Sequence, residues 1–257
     1  MILTDTHCHI HDPSFFPDGG ENDYEQALQV GVHRMICVGT DIESSKMALQ
    51  FAEKHPAAYA SFGIHPHDSA KELPQFDAFA EWALSHNTEK VVAVGEIGLD
   101  YHYMNSPREV QLGLLEKQIN LAQKMNVPVI FHVRDAFDDF WPVFRNFSGV
   151  RGVLHSFTDS LENMEKGLEN GLYIGVNGIV TFAKGRDDVT KAIPLENIVL
   201  ETDAPYLTPN PIRGKINAPG NVVYIASYVA ALRGITVEEL SRGTEANVAR
   251  LFFQNTK

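Results

Sequence analysis

The sequence has only two cysteines in 257 residues, Cys8 and Cys37, too few for a disulfide framework in a chain of this length. No apolar run approaches the roughly 18 residues that a membrane helix requires, so no membrane partner is expected. The first residues, Met1 to His11, carry no basic cluster and reach a carboxylate at Asp5, which argues against a signal or transit peptide. Cations are scarce. Lys and Arg number 21 against 33 Asp and Glu, a formal charge of −12, so the molecule as a whole repels polyanions. A phosphate-bearing substrate would therefore need local help from a bound metal or a few aimed Arg and Lys. There is no Ser/Gly-rich linker, low-complexity stretch or internal repeat, and residues 1–257 are expected to form a single domain. A cytoplasmic, reduced, monomeric protein is the expectation.

What is present is a regular alternation. Short apolar runs at Met1–Thr6, Arg34–Gly39, Ala57–Gly63, Val91–Gly95, Pro128–Phe131, Gly152–Leu154, Leu172–Gly175 and Ile198–Leu200 read as strands buried on both faces. Between them, Tyr24–Val30, Ile42–His55, Gln75–His86, Pro107–Met125, Ala136–Asn146, Leu161–Asn170, Asp187–Ala192 and Val222–Leu232 read as helices. Asp41 and Ser160 are placed as N-caps, and Ser106-Pro107 as a helix start. Eight such units in about 250 residues predict an α/β fold, a (β/α)8 TIM-type barrel. The stretch after Val237 is expected to add a C-terminal helical segment. Two long loops, Asp12–Asn22 and Thr202–Val222, both follow strands and should share the barrel face where binding loops gather.

The chemistry sits at the strand ends. The first strand runs into His7-Cys8-His9, where alternation sends His7 and His9 to one face and Cys8 into the packing. Val91–Gly95 meets Glu96, Pro128–Phe131 meets His132, Gly152–Leu154 meets His155, and Ile198–Leu200 meets Glu201, Thr202 and Asp203. Packing would favour Val, Ile or Leu at such places. A barrel gathers its strand C-termini at one mouth, so these imidazoles and carboxylates are expected to meet there as a paired-metal site. Nitrogen and oxygen donors of this kind suit Zn, Mn, Fe or Ni, with Mg or Ca possible at the carboxylate-rich half, while thiolate ligation is not indicated. Glu96 is the natural bridge between two ions. Asp203 is placed both to bind one and to take the proton of a nucleophilic water.

The motifs DTHCH (Asp5–His9), GIHPH (Gly63–His67), GEIGLDY (Gly95–Tyr101), HVRDA (His132–Ala136), HSF (His155–Phe157), ETDAPYLTP (Glu201–Pro209), RGK (Arg213–Lys215) and NVARLF (Asn247–Phe252) together resemble the TatD family of metal-dependent deoxyribonucleases, in order and over nearly the whole chain. The resemblance implies a metallo-dependent hydrolase barrel that cleaves phosphodiester bonds of DNA or oligonucleotides with two divalent ions, Mg, Mn or Zn, often from the 3′ end. It implies His7, His9 and Asp203 on one ion, His132 and His155 on the other, and Glu96 bridging. His65, Arg134, Arg213 and Lys215 are the candidates for holding phosphate oxygens. The chain departs from the family pattern at Asp159, where glycine is common, at Ile216–Pro219 after RGK, and in the acidic Asp12–Asn22 loop. A lactone, amide or phosphotriester hydrolase on the same two-metal barrel is the alternative, against which Glu96 and RGK speak. A non-catalytic binding barrel is a second, against which the intact ligand set speaks.

Other residues read more plainly. His67, His102 and His11 are expected to be solvated or locally hydrogen-bonded, and His33, His55 and His86 to be surface residues at helix ends. Phe15 and Phe16 are expected to anchor their loop rather than stack on bases. Trp82 and Trp141 belong to helix cores, and Asp135–Asp139 to a solvated helix start.

Overall fold

The computed structural model describes residues 1–254. In chain order the elements are β1 (Leu3–Cys8), α1 (Glu21–Gln29), β2 (Val32–Val38), α2 (Ile42–Lys54), β3 (Ala58–Phe62), α3 (Ser69–Glu72), α4 (Phe76–Ser85), β4 (Val91–Asp100), α5 (Arg108–Met125), β5 (Val129–Arg134), α6 (Phe137–Phe144), β6 (Gly152–Leu154), α7 (Leu161–Glu169), β7 (Tyr173–Val176), α8 (Asp187–Ala192), β8 (Ile198–Leu200), α9 (Val222–Arg233) and α10 (Val237–Phe252). The eight strands pair in parallel, each with the next in sequence. The expected barrel is therefore the observed fold.

Strand alternation divides the apolar residues into two cores. Met35 and Cys37 of β2 face the helices, as do Ile97 and Leu99 of β4. Ile36 and Val38, with Val92, Ile130, Val153 and Val199, fill the interior of the barrel. Val248, Leu251 and Phe252 of α10 join that interior cluster, so the C-terminal helix plugs the floor. Its polar residues tie down the strand starts. Asn247 Nδ2 donates to the carbonyls of Leu195 and Ile198, Ser241 Oγ donates to the carbonyl of Ile2, and Arg34 pairs with Glu245 at 2.5 Å. A Thr236–Glu239 capping box starts this helix. Asp41 and Ser160 cap α2 and α7 as expected.

The barrel closes without a ladder between β1 and β8. Outside the named strands, Cys8 and Ala204 form an isolated bridge. Beside it, the Asp203 N–H donates to the His7 carbonyl at 2.9 Å and the His9 N–H to the Ala204 carbonyl at 2.7 Å. Cys8 is buried in the outer packing, its Sγ 3.5 Å from the Ile36 carbonyl.

The largest departure from the sequence reading is β4. It continues through Glu96 to Asp100 instead of ending at Gly95, with a register shift against β5 between Val94 and Ile97. Glycine is required there. A Cβ on Gly98 would lie 1.7 Å from the His132 carbonyl oxygen, and one on Gly95 would lie 2.6 Å from Ile130. The two glycines thus mark a strand in close contact with its neighbour rather than a turn. The short α3 was not foreseen, His33 lies within β2, and His55 is buried at the end of α2.

Candidate metal centre

Glu96 stands at the centre of the barrel mouth, 4% exposed. Its Oε1 lies 2.7 Å from His132 Nδ1, 3.6 Å from His65 Nε2 and 3.6 Å from His155 Nε2, and its Oε2 lies 3.4 Å from His7 Nε2. Burial alone would raise this carboxyl. The imidazoles of His155, His65, His7 and His132 outweigh it and hold Glu96 well below the usual carboxylate range. Asp203 provides the second carboxylate, with Oδ1 3.5 Å from His9 Nε2, 3.7 Å from His7 Nε2 and 3.9 Å from His155 Nε2. Its backbone takes φ 56°, a left-handed conformation uncommon outside glycine and better tolerated by Asp than by most residues.

Three sets of donors converge closely enough to hold an ion: His7, His9 and Asp203; His65, Glu96 and His132; and His7, His155 and Glu201. His7 gives the clearest sign that a cation belongs here. Its ring is fully buried and stacked on His155 at 3.6 Å between centroids, and neither of its nitrogens makes a hydrogen bond among the described residues. A buried polar atom without a partner costs about 1–3 kcal/mol, and a metal ligated by one His7 nitrogen would remove that cost for that atom.

Polar contacts on the far side of each ring sort the histidines further. His9 Nδ1 donates to the Val38 carbonyl at 2.8 Å, leaving the Nε2 lone pair toward Asp203. His155 Nδ1 faces Glu201 Oε1 at 3.0 Å, leaving Nε2 toward the centre. Burial would lower His155, yet Glu201, Glu96 and Asp203 raise it to about 10 when no metal is bound. His65 differs. Its Nδ1 accepts the His67 N–H at 3.2 Å, and burial, with His132 beside it, lowers the ring to about 3. Its proton therefore sits on Nε2, and the ring faces the centre as a donor although its distance would suit a ligand.

The surrounding cleft encloses about 560 Å³. Tyr206, from the loop after β8, packs edge-on to Phe15 at 5.5 Å and to His9 at 6.3 Å, so the two long loops meet at the rim. Phe16 is buried, as expected of an anchor. Arg134 ends β5 and lines the cleft, its guanidinium 4.9 Å from the Tyr103 ring centroid. Arg213 and Lys215 are not among the lining residues. Arg213 lies over Phe182 at 3.8 Å and donates to the Thr208 carbonyl, while the Lys215 carbonyl accepts from Thr208 Oγ1. In the departing stretch after RGK, Asn217 is fully buried and binds the carbonyls of Thr202 and Tyr206, fastening the loop beside Asp203.

His11 bonds Ser44 and His102 bonds Asp135, both outside the donor sets. Asp100 was missed altogether. It is fully buried, with Oδ2 3.0 Å from His67 Nε2 and 3.1 Å from His132 Nε2. The usable signal was its spacing of four residues from Glu96 along one strand, which places both on the same face.

Known proteins are similar to this chain over nearly its whole length. The family model described as TatD related DNase matches residues 4–253. A Bacillus subtilis (strain 168) protein described as an uncharacterized metal-dependent hydrolase is 37% identical over 98% of this chain and 99% of its own length. A Schizosaccharomyces pombe protein described as deoxyribonuclease Tat-D is 33% identical over 90% of this chain and 86% of its own. The crystal structure of a TatD homologue from Escherichia coli K12 superposes with a TM-score of 0.91 at 33% identity, covering 97% of both chains. The chain belongs to the TatD-related DNase family of metal-dependent hydrolases.

Proposed function

We propose that the protein hydrolyses phosphodiester bonds of DNA or short oligonucleotides, as a 3′–5′ exonuclease using two divalent ions, Mg, Mn or Zn. The observation that carries this reading is the position of Glu96, within 3.6 Å of four imidazoles, one of which, His7, also belongs to the His7, His9 and Asp203 donor set. His7, His9 and Asp203, which converge closely, would hold one ion. His132 and His155, each within 3.6 Å of Glu96 Oε1 though not in one close set with each other, would hold the other, with Glu96 shared between the two. When bound, such a pair polarises a phosphoryl oxygen and lowers the pKa of water toward about 7.

The chain's own residues do the rest. Asp203 accepts the proton of the attacking water, for which a general base must lie within hydrogen-bond reach. His65 donates its Nε2 proton, and Arg134 its guanidinium, to phosphate oxygens. Arg213 and Lys215, on the loop beyond the rim, offset the negative charge of the molecule for phosphates further along the strand. The cleft suits a chain terminus better than an uninterrupted duplex. Among the described residues Arg134 is the one Lys or Arg in its lining, whereas duplex binding needs an extended basic surface. The name of the Schizosaccharomyces pombe relative supports a nuclease. Free, buried Cys8 and Cys37 accord with action in the reducing cytoplasm, and we propose that it acts there as a monomer.

The test is degradation of a labelled single-stranded oligonucleotide by chelator-stripped protein, with Mg, Mn or Zn restored separately. A product ladder shortening from the 3′ end, only with metal, is the expected result. Intact oligonucleotide under every metal, with turnover of a lactone panel instead, would remove the phosphodiesterase reading.

A further inference from the structure

We propose that Asp100 is a positioning residue for the metal centre, fixing the His132 proton on Nε2 so that the Nδ1 lone pair faces Glu96 and the ion. This rests on the metal-dependent reading of the site but assigns a role to a residue that does not itself face the ion. His132 is held between two carboxylates, with Nδ1 2.7 Å from Glu96 and Nε2 3.1 Å from Asp100. A ring in that position serves as a ligand through only one nitrogen, and the acceptor behind it decides which.

Asp100 is built to make that choice. Its Oδ1 accepts the backbone N–H groups of His102 and Tyr103, each at 2.9 Å. Its own N–H donates to Gln111 Oε1 at 2.8 Å, and Gln111 Nε2 donates back to its carbonyl at 3.2 Å. With Oδ1 and the backbone both held, Oδ2 has one orientation, toward the Nε2 atoms of His132 and His67. An ionised carboxylate only accepts, so both rings must present N–H to it. Gly98 allows the approach, since a Cβ there would strike the His132 carbonyl. Among the histidines of the mouth, His132 thus has the same kind of hydrogen-bonded backing that Val38 gives His9.

Asp100→Asn tests this. The side-chain oxygen can still accept from His102 and Tyr103, while the amide placed against His132 must donate to Nε2 and drives the ring proton to Nδ1. Zn²⁺ is titrated into chelator-stripped full-length protein against a chromophoric chelator. One Zn²⁺ equivalent should bind about 10- to 100-fold more weakly in the variant, the other unchanged. In ¹⁵N-histidine NMR of the Zn²⁺-loaded wild type, the ring whose signal is absent from His132→Gln should be protonated at Nε2 and metal-shifted at Nδ1. Equal Zn²⁺ binding by wild type and Asp100→Asn, or a His132 ring metallated through Nε2, would overturn the proposal while leaving the metal centre intact. A wild type that takes up no Zn²⁺ would overturn both. Should Asp100→Asn fail to fold, the wild-type spectrum decides alone.

Discussion

Asp5 and Thr202 hold the two ends of the barrel together. Asp5 Oδ1 accepts the Thr202 N–H at 2.8 Å and Oδ2 accepts the Thr202 hydroxyl at 2.5 Å. The Thr6 hydroxyl donates to the Leu200 carbonyl beside them at 3.1 Å. These side-chain bonds take the place of a ladder where β1 meets β8, between His7 and Asp203. Thr202→Val keeps the shape but leaves Oδ2 of Asp5 and the Ala204 N–H, which also bonds the hydroxyl, without that partner. Stability should fall by about 1–3 kcal/mol, seen as a lower urea midpoint at unchanged m-value. A change below about 0.5 kcal/mol, the level of an indifferent surface substitution, would mean that the seam is held by its backbone bonds alone.

Asp203 is the residue on which the proposed hydrolysis most depends. Its carboxylate lies nearest His9 and also faces His7 and His155, so it combines ligand and base. Asp203→Asn should retain the fold, because its backbone bond to His7 is untouched, and lower turnover by ~10²- to 10⁴-fold. Metal content measured on the same sample separates the two roles. Loss of turnover at full metal content assigns the proton-accepting role, and unchanged turnover would remove Asp203 from the reaction.

Protons and metal compete for the same ring nitrogens, which gives the metal-free and metal-loaded proteins opposite pH responses. Without metal, burial raises Asp5 from 3.8 to about 8 despite its hydrogen bonds from Thr202 and His7. The folded chain then retains a proton that the unfolded chain has lost, and stability falls as pH rises between those values. Burial opposes the charge on His155, but its carboxylate neighbours raise it from 6.5 to about 10. Its contribution is fully present below 6.5 and is lost as pH rises through about 10. The chelated protein should therefore melt at progressively lower temperature from about pH 6 to pH 9. With Zn²⁺ or Mn²⁺ in excess, ligation requires deprotonated rings, so the stabilisation by metal grows with pH over the same range. Parallel pH profiles for the two forms would contradict ligation by these histidines.

How far the site was legible follows from how local each signal is. Apolar runs bounded by polar residues located β6 and β8 at their observed limits, and a carboxylate or imidazole after such a run needs only the barrel to bring it to the mouth. His9, His155 and Asp203 were found in that way. Glu96 was found as well, but for a strand placed too short. Gly95 read locally as an ending, but the reason for it and for Gly98 lies in β5, which leaves no room for a Cβ. Ending the strand at Gly95 hid Asp100, four residues past Glu96 and on the same face. The donor character of His65 depends on a backbone N–H at His67, and no spacing rule reveals which ring nitrogen carries a proton. The placement of the basic residues was illegible for a related reason, Arg134 lining the cleft while Arg213 and Lys215 do not. Charge is visible in sequence, but its direction is not, and Arg213 is turned onto Phe182.

That difference in direction separates the three basic candidates experimentally. Arg134 lines the cleft from the end of β5, in register with Asp100 of β4, and its contact with the exposed Tyr103 ring holds the guanidinium at the mouth. Arg134→Ala should raise KM for a short oligonucleotide about 10-fold or more with a smaller change in kcat, the pattern of lost uniform binding. Arg134→Lys should recover only part of the loss, because a lysine keeps the charge but not the two-pronged donor. Arg213→Ala and Lys215→Ala alter exposed groups outside the cleft lining, so each should change KM by less than about 3-fold, with an effect that vanishes at high salt. Steady-state kinetics on one labelled oligonucleotide at two ionic strengths distinguishes the cases. A larger KM effect from Arg213 or Lys215 than from Arg134 would place the scissile phosphate under the outer loop instead of beside β5.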